Sequence, residues 1–149
     1  MRAWYLDESS NTLTSRDLDE LLNVKTYNAS STEDGERELE TLMQQLGWNK
    51  KWDQIMDPNI SIDKKTLQAM GGEHRHPDME VRYIKQGTCY FDVRDSQDRW
   101  VRIEVSAGDH IVLPPKMYHR FNPSMIKEVT VMCLIVPEGF TYTAEFRET

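Results

Sequence analysis

From Glu80 onward the chain is divided into short apolar or alternating runs by turn-forming residues, and this texture constrains the fold more than any other feature of the sequence. The runs are Val81 to Ile84, Thr88 to Val93, Trp100 to Val105, Ile111 to Leu113, Val129 to Val136 and Tyr142 to Phe146. Successive side chains of a strand point to opposite faces, so each run can bury one face in a shared core. Gln86-Gly87, Asp95 to Asp98 and Gly108-Asp109 supply the residues that tolerate the backbone angles of tight hairpins. Strands so short and so regularly interrupted predict an antiparallel barrel or sandwich.

The front of the chain reads differently. After an opening strand, Thr14 or Ser15 can cap a helix from Arg16 to Leu22, and Ser31 or Thr32 can cap a longer one with Leu39, Leu42, Met43 and Leu46 on one face. Gly47 stops that helix. The stretch from Trp48 to Asp57 fits neither period, and Asp63 to Met70 predicts a short helix entering Gly71-Gly72. A chain of 149 residues closes one core, so the expectation is one domain over 1–149, with a mostly helical front (1–70) and a β-rich unit (71–149) that carries any site.

A net charge of −7 without a basic stripe argues against a nucleic-acid surface. No apolar run approaches membrane-spanning length, and the start lacks the pattern of a secretory signal, so the predicted location is the cytoplasm, with the nucleus open in a eukaryote. Cys89 and Cys133 form no metal-knuckle spacing and read as small buried hydrophobes. Trp4, Trp48, Trp52 and Trp100 read as packing anchors, and Arg94, Arg102 and Arg120 as solvated or paired surface cations.

The chemistry concentrates in Glu73-His74-Arg75-His76-Pro77-Asp78-Met79-Glu80. Residues two apart in a strand share a face, so His74 and His76 can aim both imidazoles at one point, and a bend at Pro77-Asp78 can return Glu80 to it. His119, beyond Gly108 and Pro114, stands where a neighbouring strand could bring it to the same place, whereas His110 lies outside both blocks. The two blocks together follow the two-part pattern of cupins, with Lys116 where a glycine is usual. Three imidazoles and a carboxylate leave two positions open on an octahedral metal, which suits iron, nickel, manganese or cobalt better than zinc. Arg82 shares a strand face with Glu80 and can hold an anionic substrate or orient the carboxylate; an exposed strand arginine would look the same. Phe121 shares a face with His119 and can wall the pocket, though core packing accounts for it nearly as well.

At these residues the sequence resembles the acireductone dioxygenase family. The likeness runs through Ala3-Trp4-Tyr5, Glu73-His74 with His76 and Glu80, Arg82-Tyr83-Ile84, Tyr90 to Asp95, Trp100, Arg102-Ile103, Gly108-Asp109, Leu113-Pro114 and Tyr118 to Phe121. It implies a cupin-type β-barrel and one Fe(II) or Ni(II) per chain on His74, His76, Glu80 and His119. It also implies Arg82 as a substrate-contacting residue, Phe121 as a pocket aromatic, and as substrate an acireductone, 1,2-dihydroxy-3-keto-5-methylthiopentene, cleaved with O2 in methionine salvage. With iron the implied products are the 2-keto acid precursor of methionine and formate; with nickel, methylthiopropionate, formate and carbon monoxide. A monomer is the expected state. Two departures leave other readings open: Cys133 aligns where the family has a substrate-contacting arginine, and Gly139 to Thr149 replaces a proline-rich tail. The alternatives are a cupin oxygenase or isomerase for another small enediol or keto acid, and a non-catalytic metal-binding module.

Overall fold

The computed structural model describes residues 1–148. Thr149, part of the expected domain and of the altered tail, lies outside the described residues. In chain order the elements are β1 (Arg2–Tyr5), β2 (Thr12–Leu13), α1 (Ser15–Asp17, continuing as a π-helical turn Leu18–Leu22), β3 (Lys25–Asn28), α2 (Thr32–Leu46), β4 (Lys50–Met56) and α3 (Lys64–Gly71). There follow β5 (His74–Arg75), β6 (Glu80–Gln86), β7 (Thr88–Arg94), β8 (Trp100–Ser106), β9 (Asp109–Leu113), β10 (His119–Phe121), β11 (Thr130–Val136) and β12 (Glu145–Phe146).

The strands form two antiparallel sheets, one of seven strands in the order β12-β5-β10-β7-β8-β1-β2 and one of five in the order β3-β9-β6-β11-β4. Ile84, Phe91, Val93, Ile103, Ile111, Leu113 and Met132, drawn from both sheets, belong to one buried core. The alternation in the sequence supplies this directly: on β8, Val101, Ile103 and Val105 are buried while the residues between them are half-exposed.

A second core lies on the other face of the five-stranded sheet. There Leu39 and Met43 of α2 are buried against Val81, Tyr83, Val112, Cys133 and Ile135. Local chemistry sets the ends of α2: the Ser31 hydroxyl accepts from the Asp34 N–H, acidic Glu33 and Asp34 sit in the first turn, and Gly47 takes the left-handed conformation at φ 69°. Gly35 is the cost of close docking. A Cβ there would meet the Tyr83 ring at 2.8 Å, while the Tyr83 hydroxyl donates to the Thr32 carbonyl at 2.9 Å.

The front of the chain departs from the expected mostly helical segment. Strands β2, β3 and β4 are interleaved with its helices and join both sheets. Their sequences hide them because they are edge or near-edge strands with little buried surface: in β4 only Met56 is buried, and β3 has no buried residue. Backbone pairing with β9 and β11 defines them, and such pairing leaves no periodic apolar signal. The expected strand from Tyr142 to Phe146 shortens to Glu145–Phe146. Among the described residues no helix is long and apolar enough to cross a membrane.

Candidate metal centre

His74 begins β5, His119 begins β10, and the two are directly paired in the antiparallel ladder. His76 follows β5, and Glu80 opens β6 in the opposite sheet. Candidate ligand atoms of the three histidines lie within 4.8 Å of one another, and all three side chains are buried. The Glu80 carboxylate joins them, with Oε1 2.7 Å from His76 Nε2 and Oε2 3.3 Å from His119 Nε2. Two donors about 2.1 Å from one ion and at right angles lie about 3 Å apart, so these separations suit neighbouring ligands of a single metal.

The other ring nitrogens are already occupied. Nδ1 of His74, His76 and His119 lies 2.6, 2.6 and 2.9 Å from the carbonyls of Gly72, Thr143 and Met117. A carbonyl can only accept, so each Nδ1 carries a proton and Nε2 is the nitrogen left to face the centre. Burial holds His74 and His119 below the ordinary histidine value, which favours this metal-binding form. For His76 burial works in the same direction, but the contact with Glu80 outweighs it and raises the pKa. Burial would raise Glu80; the Arg82 cation and the neighbouring histidines prevail and hold the carboxyl at about 2. An anionic carboxylate beside three imidazoles whose Nδ1 atoms are held by carbonyls is a donor set that fits a divalent cation, which would take the place of any proton on His76 Nε2.

Arg82 and Phe121 line the same cavity of about 690 Å³, which opens between the sheets beside α3. Arg82 places Nη2 3.3 Å from Glu80 Oε1 and donates through Nη1 to the Val81 carbonyl at 3.1 Å. Phe121 packs its ring 5.2 Å from that of Phe91. All six residues singled out from the sequence therefore meet at one cavity.

Sequence reasoning missed several of its walls. Thr66, Ala69 and Met70 come from one face of α3, at a helical spacing that could have been noticed, whereas nothing in the sequence marks Gln54 or Tyr142. Trp52 is 46% exposed at the cavity wall instead of being a packing anchor. Trp100 also serves differently: the guanidiniums of Arg94 and Arg120 lie 3.9 and 4.1 Å from its ring. These arginines are paired, Arg94 with Glu73 and both Arg102 and Arg120 with buried Asp92. Both cysteines are buried free thiols, and burial pushes Cys89 to about 12.

Cys133, aligned with a family arginine, does not face the cavity. It pairs with Tyr83 and packs into the α2-side core, so the cavity-facing positions of β11 are Met132 and Leu134, opposite Ile84 and Arg82. Lys116, standing where a glycine is usual, keeps a glycine-like left-handed φ of 63°, and its N–H donates to the His76 carbonyl at 2.8 Å. The backbone here takes the conformation a glycine would allow despite the lysine side chain.

Two facing antiparallel sheets with three imidazoles and a carboxylate gathered at a cavity between them define a protein of the cupin class. The ARD/ARD' family model matches residues 5–139, and the chain belongs to that family. Its fold is that of an acireductone dioxygenase from Bacillus anthracis with a cadmium ion in its active centre, at a TM-score of 0.79 over 97% of each chain and 15% identity. Proteins named acireductone dioxygenase are 33% identical over 150 residues in Branchiostoma floridae, covering 93% of this chain and 84% of that protein. In Vitis vinifera the identity is 37% over 120 residues, and in Heterostelium pallidum 35% over 96. The chain spans 60% and 66% of the length of these last two relatives.

Proposed function

We propose that this chain is an acireductone dioxygenase: it holds one Fe(II) or Ni(II) on His74, His76, Glu80 and His119, and with O2 cleaves 1,2-dihydroxy-3-keto-5-methylthiopentene in methionine salvage. The observation that carries the reading is the convergence of three histidine rings and an anionic carboxylate at the cavity of an ARD-family fold. A bound metal supplies a Lewis acid that orients an enediol and O2 toward each other. The chain's residues do the rest. Arg82 holds Glu80 ionised and adds positive charge beside an anionic substrate. Phe91, Phe121, Met132 and Leu134 give the cavity apolar walls that limit water and accept a thioether tail. We assign the protein to the cytoplasm as a monomer acting on a small molecule, without nucleic-acid or membrane partners.

Apo protein loaded anaerobically with Fe(II) or Ni(II) and given a desthio-acireductone tests the reading. The expected outcome is O2 consumption with a keto acid and formate from the iron form and carbon monoxide from the nickel form, abolished together with metal binding in His119→Ala. Full turnover in His119→Ala would refute the ligand assignment. Metal binding without O2 consumption would move the function to another enediol or to a non-catalytic role, a second reading favoured by the absence of a cation among the β11 cavity residues Met132 and Leu134.

A further inference from the structure

Beyond β11 the chain returns along the edge of the seven-stranded sheet, where β12 pairs with β5 so that Glu145 lies opposite Arg75 and Phe146 opposite His74. Arg75 donates to the Glu145 carboxylate through Nε and Nη2 at 3.2 and 2.9 Å. Arg147 donates through Nη1 to Glu73 at 2.9 Å, and through Nη1 and Nη2 to Asp98 at 2.6 and 2.9 Å. These pairs bracket the first histidine block from outside. Gly72 leaves room for the arrangement, since a Cβ there would lie 3.0 Å from the Phe146 ring.

The three imidazoles are oriented by different means. His74 and His119 each use the carbonyl two residues earlier in their own stretch, Gly72 and Met117, so local backbone fixes those rings. The partner of His76 Nδ1 is the Thr143 carbonyl, 67 residues away in sequence, at 2.6 Å. The orientation of His76 therefore depends on the docking of a separate segment. That docking combines the short β12–β5 backbone pairing and the Arg147 N–H bond to the Glu73 carbonyl with ion pairs, one of them through Glu145, which is 65% exposed, and such pairs are individually weak.

We infer that the strap from Tyr142 to Arg147 is a positioning element of the metal centre, with Glu145 and Arg147 as positioning residues that set metal affinity through the Thr143 carbonyl and His76. The inference rests on the reading of His74, His76, Glu80 and His119 as ligands. A carbonyl that fixes the tautomer and plane of a ligating imidazole typically governs affinity by about ten- to a hundredfold.

The test compares Ni(II) affinity, by competition with a chelating dye, in wild type, Glu145→Ala/Arg147→Ala and Arg2→Ala/Glu104→Ala. The last variant removes a similar bidentate pair, at 3.1 and 2.9 Å, near the opposite edge of the same sheet. The strap variant should bind Ni(II) about ten- to a hundredfold more weakly, with shifted visible bands in its Co(II) form, while the control keeps wild-type affinity and spectrum. Should the double variant not fold, Glu145→Gln, which preserves side-chain shape, takes its place, with a smaller loss in the same direction. Unchanged affinity and Co(II) bands on releasing the strap overturn the inference, as does an equal loss in the control. Failure of wild type to bind Ni(II) overturns the ligand reading, and the strap's role with it.

Discussion

Single residues at this site carry opposite messages. Lys116 accepts a left-handed backbone that costs a side chain about 1–2 kcal/mol, because its N–H is needed on the His76 carbonyl. His110, outside the metal blocks, is buried with the Gly35 and Tyr27 backbones near its ring nitrogens, neither at good hydrogen-bond geometry, and its ring stacks on Tyr83 at 4.6 Å. Burial holds its pKa below the ordinary 6.5. Below that value the unfolded chain binds a proton that native His110 refuses, so this residue makes stability fall as pH drops through 6.5. Urea unfolding of metal-free His110→Phe between pH 8 and 5 should show a shallower pH slope than wild type, and a gain of about 1 kcal/mol at pH 8 from removing a poorly paired buried polar group. Equal slopes would mean that His110 is paired or solvated in the native protein.

Among elements, the division of labour follows from which face of the five-stranded sheet each one meets. Helix α2 packs on the outer face through Leu39 and Met43, while α3 lines the cavity on the other side. Alternation along β6 enforces the separation: Val81 and Tyr83 face α2, and Glu80 and Arg82 face the cavity. Leu39→Ala should therefore cost about 2–5 kcal/mol of unfolding free energy and leave Ni(II) affinity of the folded protein unchanged. Denaturant melts and a metal titration on one preparation check both parts. A matching loss of affinity would show that the two faces of the sheet are coupled.

At the scale of the whole molecule, the proposed ligands come from both sheets, so metal binding on them would be tied to global folding. Free Ni(II) at a hundred times its Kd should stabilise wild type by about 2.7 kcal/mol, on the order of 5–10 °C in Tm for a domain of this size. His119→Ala should show no metal-dependent shift in the same thermal scan. By itself the sequence determined the β-rich architecture and the helix α2 with its caps, because periodicity and capping are properties of neighbouring residues, and it singled out His74, His76, Glu80 and His119 as candidate ligands through two separated blocks that follow a family pattern. The tertiary structure alone decided that β3 and β4 complete a sheet, since edge strands gain their stability from backbone pairing and bury too little to leave a pattern. It also decided that Cys133 faces α2 and not the cavity, because the register between β6 and β11 fixes which face each residue meets. Only the folded chain, finally, brings the Thr143 carbonyl to His76, a contact between residues far apart in sequence that no local rule encodes.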